Sequence, residues 1–174
     1  MKTLTPCVIW FTGLSGAGKS SLACEVKKRL FELDIKTSLL DGDIVRQNLC
    51  RDLSFSKEDR EENIRRVGQL ARKQLDEGNT VLCAFISPFR HSRDQVRGLF
   101  KAGEFIEVFV DTPLEICEQQ DVKGLYKKAR AGEIQEFTGI DSPYENPLTP
   151  EIHIKNTRNT SIRNLANLVI EYLS

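Results

Sequence analysis

A chain of 174 residues with 25 Lys+Arg against 25 Asp+Glu has room for one well-filled core and carries no formal net charge. That balance excludes a global basic field for a nucleic-acid backbone, and the opening residues are punctuated too soon for a signal peptide or a spanning segment. Five scattered cysteines without a C-x-x-C pair, beside two histidines, exclude a disulfide framework and a zinc site and lead us to expect a reducing, cytoplasmic setting.

Cys7 to Phe11 is a short apolar run, read as a buried strand, and Gly13-Leu14-Ser15-Gly16-Ala17-Gly18-Lys19-Ser20 follows at once. This is the G-x-x-x-x-G-K-[ST] spacing between a strand and a helix. Its glycines let successive backbone N–H groups turn toward phosphate oxygens. Lys19 brings positive charge to the outer phosphates, and Ser20 offers a hydroxyl to a Mg²⁺ that travels with the nucleotide. A nucleoside triphosphate site is therefore expected here. The loop alone does not name the acceptor of the phosphate.

From Ser20, the spacing of Ala23, Val26, Leu30 and Leu33 predicts a helix with one buried stripe, ending near Asp34. Ile35 to Leu40 reads as a strand that delivers Asp41-Gly42-Asp43 to the ligand edge of a parallel sheet. A short helix is expected over Ile44 to Leu49. Ser56 is placed to cap a longer one from Lys57 to about Glu77, closed by Gly78. Thr80 to Ile86 is apolar nearly throughout, as in a strand covered on both faces, and Ser87-Pro88 ends it. Ser87 is also read as a cap for the helical stretch Phe89 to Lys101.

Phe105 to Val110 is another buried-type strand, and Pro113 suits the first position of a short helix over Leu114 to Gln120. Residues 121 to 150 are charged and turn-rich with little core pattern, which fits a functional lid better than filler. Ile152 to Ile154 reads as a last strand, and Ile162, Leu165, Leu168, Val169 and Tyr172 as the stripe of a closing helix. Strands alternating with helices predict an α/β fold: a parallel sheet of about five strands with helices on both faces. We expect one domain over residues 1 to 174, with a mobile lid at about 121 to 148.

The chemistry narrows beyond the loop. The buried strand Thr80 to Ile86 leads to Ser87 and not to the aspartate that orders Mg²⁺ water in hydrolytic switches and motors. The acidic pair is instead Asp41 and Asp43, one to assist Mg²⁺ or the loop and the other to accept or orient the proton of an attacking hydroxyl. That arrangement favours a small-molecule kinase, although a D-G-D turn that merely caps a helix uses the same residues. Among Arg46, Arg51, Arg60, Arg65, Arg66, Arg90, Arg93 and Arg97, most are expected to solvate helix faces. Arg46 and Arg60 lie near strand and helix ends, where a guanidinium fork can bind phosphate or sulfate oxygens, and Asn63 shares a helix face with Arg60.

The stretches GLSGAGKS, LDGDIVR, FSKEDREENIRRVG, FISP, EVFVDTPLEICE, KGLYKKARAGEI and FTGIDSPYE together resemble the adenylylsulfate kinase family over about residues 7 to 157. The resemblance implies a P-loop NTPase fold of the nucleoside-monophosphate-kinase type. It also implies transfer of phosphate from ATP, with Mg²⁺, to the ribose 3′-hydroxyl of adenylylsulfate in sulfate assimilation. By resemblance, ATP is held by Gly13 to Ser20 with Asn156 and Thr157, and Mg²⁺ by Ser20 and Asp41. Asp43, Lys19, Arg60 and Ser87 are then the catalytic set, Ser87 matching the phosphoserine of the family's active site. Asp43, Arg46, Arg60 and Asn63 would hold the acceptor, Phe55 and Phe137 sandwich its adenine, Ile86 and Ser87 border it, and Lys123 and Leu125 belong to the closing lid. A homodimer and a functional link to an ATP sulfurylase follow as partner expectations, with neither nucleic acid nor membrane.

From the residues themselves Ser87 has no evident base beside it, so a structural, substrate-lining role is expected there. Three departures stand out: Ser54 where the family usually has glycine, Ser20 for threonine, and Gln120 where arginine is usual. Gln120 donates hydrogen bonds but brings no charge, which bears on nucleotide affinity. Two rivals stay open: a kinase for another nucleotide-linked acid, and a nucleotide-binding module without catalysis.

Overall fold

The computed structural model describes residues 4–157 and 159–174. Five parallel strands lie in the order β2-β3-β1-β4-β5: β1 (Val8–Thr12), β2 (Thr37–Asp41), β3 (Thr80–Ala84), β4 (Phe105–Asp111) and β5 (Ile152–Lys155). Seven helices link and follow them among the described residues: α1 (Lys19–Glu32), α2 (Gly42–Gln47), α3 (Lys57–Asp76), α4 (Arg90–Arg97), α5 (Leu114–Gln119), α6 (Leu125–Arg130) and α7 (Ile162–Leu173). The α/β expectation holds, with the strand that leads into the glycine-rich loop at the centre of the sheet.

Alternation along β1 divides the core. Ile9 and Phe11 face the side covered by α1 and α7, where they meet Leu22, Val26, Leu30, Leu165 and Val169. Val8 and Trp10 face the other side and pack with Ile64, Val67 and Ala71 of α3 and Val96 of α4. Because both faces are covered, β1 and β3 are buried at every position, which is why they read as unbroken apolar runs. Edge strand β5 alternates instead, with Ile152 and Ile154 inside and His153 and Lys155 outside.

Several boundaries differ from expectation. Ile35 does not open β2: its N–H caps the Leu30 carbonyl after Asp34 turns left-handed at φ 58°, so α1 ends at Glu32. Strand β3 ends at Ala84, and the chain beyond it stays tied to β1: the Phe85 N–H donates to the Phe11 carbonyl, and the Ile86 carbonyl accepts from the Gly13 N–H and, at 2.7 Å, from the Thr12 hydroxyl. Pro113 is the residue before α5 and not its first member. Ser56 caps α3 as expected, its hydroxyl accepting from the Asp59 N–H at 3.2 Å. Helix α6 has no forecast in the sequence pattern: six residues, half of them charged, begin after Gly124 in a left-handed turn at φ 64°. No helix among the described residues is long and apolar enough to cross a membrane.

Candidate active site

The site lies where β1, β2 and β3 deliver their C-terminal ends. The loop after β1 is braced from behind: the Ala17 carbonyl accepts from the Thr112 hydroxyl at 2.8 Å and from the Asn156 amide at 3.0 Å. Gly13 is required by contact, since a Cβ there would sit 2.5 Å from the Val110 carbonyl oxygen. Gly18, left-handed at φ 96°, precedes α1 without a side-chain cap, so the loop and the helix start are free to turn N–H groups to an anion. Lys19 is 8% exposed and its Nζ donates to the Leu14 carbonyl at 2.6 Å. Burial pushes its ammonium down from the usual range to about 8, against the pull of Cys117, Asp41 and Asp43.

Asp41 ends β2 and caps α2, one carboxylate oxygen accepting from the Asp43 N–H at 3.1 Å. Its other oxygen accepts from the Ser20 hydroxyl at 2.5 Å, so the two residues expected to hold a cation are in contact. No group of three or more His, Cys, Asp or Glu is clustered as a metal site among the described residues. A cation here would complete its shell with phosphate and water, as Mg²⁺ does when it travels with a nucleotide. Asp43 points to solvent and pairs with Lys123.

The expected acceptor residues lie on the β2–α3 side. The Arg46 guanidinium sits 4.3 Å from the centre of the Phe55 ring and donates to the Ser54 carbonyl at 3.0 Å. Phe55 is 62% exposed, available for stacking on a flat ligand. Arg60 donates to the Thr138 and Ser142 hydroxyls at 3.2 and 3.3 Å and to the Glu136 carbonyl, tying α3 to the turn that carries Phe137. Asn63 is 5% exposed, and its Oδ1 has no hydrogen-bond partner among the described residues. A buried acceptor without a donor at this position suits a ligand hydroxyl. Arg65 and Arg66 are engaged elsewhere, with Glu62 and, for Arg66, Asp52.

Residues 121–148 cross over this edge. Lys123 reaches Asp43, Leu125 is half-buried at the start of α6, and the Phe137 ring meets Tyr126 edge-on at 5.0 Å. A cleft of about 510 Å³ opens between Leu14 and the stretch Gly139, Ile140, Ser142, Tyr144 and Asn146. Asn156 is built into the loop's support, whereas Thr157 is exposed and contacts Thr160.

A model of the family described as adenylylsulphate kinase matches residues 5–155 of the chain. The chain belongs to the adenylyl-sulfate kinase family. An adenylyl-sulfate kinase of Vibrio vulnificus is 58% identical over 174 residues, covering 100% of this chain and 84% of its own. One from Yersinia pestis is 61% identical over 148 residues, covering 85% of this chain and 70% of its own. The solved structure of the Mycobacterium tuberculosis APS kinase in complex with AMPPNP and APS superposes with a TM-score of 0.92 at 47% identity, covering 98% of this chain and 99% of that one. A Sinorhizobium meliloti gluconokinase, at 15% identity and TM-score 0.65, shares the fold alone.

Within this adenylyl-sulfate kinase framework, one carried-over role meets a geometric obstacle. Ser87 is 2% exposed, its hydroxyl accepts from the Trp10 indole N–H at 3.1 Å, and it faces the Phe85 carbonyl at 3.4 Å. Its backbone is left-handed at φ 41°, and its carbonyl accepts from Arg93 at 2.5 Å. The hydroxyl is thus held inside the fold with no base in contact, which favours the structural role read from the residues over the reacting role implied by the resemblance. Ser87 is not a helix cap: Phe89 precedes α4, without a side-chain cap. Ile86 borders the loop through its carbonyl, which the Thr12 hydroxyl occupies.

Two residues escaped sequence reading. Arg93 reads as a surface arginine yet is 2% exposed, paired with Glu107 at 2.9 Å and bonded to the Glu145 carbonyl at 2.6 Å. Burial raises the Glu107 carboxyl even so, with Arg93 and Arg97 pulling it down. Tyr126 donates to the Ser15 carbonyl of the glycine-rich loop at 2.7 Å. Only the acidic residue inside an apolar strand, Glu107, hinted at a buried cation.

Proposed function

We propose that this chain catalyses ATP-dependent phosphorylation of the 3′-hydroxyl of adenylylsulfate, yielding 3′-phosphoadenylylsulfate and ADP in sulfate assimilation. Family membership over nearly the whole chain supports the reaction. The observation that carries the site reading is the convergence of Lys19, Ser20, Asp41 and Asp43 at one sheet edge: Ser20 bonds Asp41, and both carboxylates act on the Lys19 charge.

In this reading the loop Gly13 to Ser20 holds the ATP phosphates, and Lys19 offsets charge on the outer ones. Mg²⁺ bound with the nucleotide supplies further charge neutralisation at the phosphates, and Ser20 and Asp41 would hold it. Asn156 and Thr157 flank the nucleotide. Phe55 and Phe137 stack on the acceptor's adenine, and Arg46 and Arg60 bind its anionic bridge. Asn63 accepts from a ribose hydroxyl. Asp43 orients the 3′-hydroxyl and takes its proton as the new O–P bond forms and the β–γ bridging bond breaks, leaving ADP. Lys123 and Leu125 lie on a lid over about 121 to 148 that excludes water, which would otherwise accept the phosphoryl group.

We infer a single-domain, cytoplasmic enzyme that works as a homodimer, with an ATP sulfurylase as the source of its substrate. The gross reaction is tested by incubating the protein with ATP, Mg²⁺ and adenylylsulfate and quantifying both products. Equal amounts of ADP and 3′-phosphoadenylylsulfate are expected. Turnover of another nucleotide with none of adenylylsulfate would overturn the acceptor, and ATP binding with no product at all would overturn the enzyme.

A further inference from the structure

Tyr126 touches both halves of the site at once. It is 2% exposed in the first turn of α6, with its hydroxyl on the Ser15 carbonyl and its ring edge-on to Phe137. Desolvation pushes its phenol well above the usual range, so it stays a hydrogen-bond donor across the working pH range. Ser15 lies in the middle of the loop, whose preceding carbonyl, Leu14, is held by Lys19. Side chains therefore fix two successive loop carbonyls, one from the loop's own lysine and one from α6.

Phe137 is constrained from its other sides as well. Its N–H donates to Asp141 at 2.6 Å, and its carbonyl accepts from the N–H groups of Ile140, Asp141 and Ser142. Arg60 grips the same turn. At Gly139 a Cβ would stand 3.2 Å from the Leu14 side chain, so this turn rests directly on the glycine-rich loop. Loop, α6 and the Phe137 turn form a closed contact triangle, and Tyr126 is the member that bonds one and packs on the other.

We propose that Tyr126 is a positioning residue that couples the two substrate sites: order imposed on the loop by ATP is passed to Phe137, and stacking on Phe137 is passed back. The proposal rests on the reading of the loop as the ATP site and Phe137 as an acceptor aromatic. Coupling of this kind is reciprocal, so each ligand tightens the other by one shared factor. Phe in place of Tyr126 keeps the ring on Phe137 and removes the bond to Ser15 together with the hydroxyl's contact with the Cys117 thiol.

The test is calorimetric binding of adenylylsulfate with and without saturating AMPPNP and Mg²⁺, in the wild type, Tyr126→Phe and Phe137→Ala, each checked for folding by circular dichroism. The wild type is expected to bind adenylylsulfate at least about fivefold tighter when AMPPNP is present. In Tyr126→Phe that ratio is expected to fall toward one. Phe137→Ala should lose adenylylsulfate affinity while binding AMPPNP nearly as before. An unchanged ratio in Tyr126→Phe, or no coupling in the wild type, overturns the proposal, because a merely structural residue would shift both affinities and leave their ratio alone. Unaltered adenylylsulfate binding by Phe137→Ala overturns instead the underlying reading of Phe137.

Discussion

The ammonium of Lys123 closes on the carboxylate of Asp43, joining residues 80 apart in the chain, with each side chain more than half exposed. An ion pair this open is screened by water and easily exchanged for another anion. The residue assigned to the acceptor hydroxyl and a residue of the crossing segment thus already meet. In the proposed reading, an arriving phosphosulfate draws Lys123 away and leaves Asp43 facing the hydroxyl.

If Asp43 handles that proton, Asp43→Ala should lower kcat by roughly 10²- to 10⁴-fold, the usual contribution of a positioned base. Affinity for AMPPNP should change little, because Ser20 and Lys19 keep their partners. Steady-state kinetics with direct nucleotide binding separates the two. Wild-type turnover in the variant would remove Asp43 from the chemistry.

Lys19 predicts the pH profile. With its ammonium pushed down to about 8, the free enzyme should lose positive charge in the loop above that pH. The value of kcat/KM for ATP should therefore decline above about pH 8. In the ATP complex the phosphates hold the proton on, and kcat itself should stay level to higher pH. Stability moves the other way for this group. Unfolded lysine titrates near 10.5, so between about 8 and 10.5 the unfolded chain binds more protons and Lys19's contribution to stability rises with pH. A profile of kcat/KM flat from pH 7 to 10 would contradict the assignment.

Ser87→Ala tests whether that hydroxyl reacts or only supports. Removing it strands the indole N–H of Trp10, a fully buried residue, and should cost about 1–3 kcal/mol of stability in denaturant titration. Activity should remain within a few-fold of wild type once the protein is folded. Trp10 is the sole tryptophan, so its fluorescence reports the lost bond directly. A thousandfold drop in kcat without loss of stability would return Ser87 to the chemistry.

What could be read from the sequence was local. The glycine spacing, the strand before it, the Ser56 cap and the Asp41-Gly42-Asp43 corner each depend on residues within one turn of one another, and each is present. Helix α6 was not legible, because a six-residue charged segment held by Tyr126 and Ala129 has no full stripe of its own. Nor could Arg93 be told from its solvated neighbours on α4, since its burial depends on Glu107 of β4 and on the backbone at Glu145. The burial of Ser87 depends likewise on a tryptophan of the adjacent strand. The acceptor came from resemblance, because no spacing rule pairs Phe55 with Phe137.

With β1 in the middle of the order β2-β3-β1-β4-β5, the glycine-rich loop stands on the boundary between two wings. Thr112 and Asn156, which steady that loop, follow β4 and β5 on one wing; Asp43, Arg46, Phe55, Arg60 and Asn63 follow β2 on the other. The division is crossed in two places: Asp41 at the end of β2 bonds Ser20 of the donor loop, and Phe137 follows β4 yet is tied to Arg60 of α3 through its turn. Acceptor choice in this architecture is therefore interleaved with the donor half, and a change of acceptor has to be accommodated on both wings.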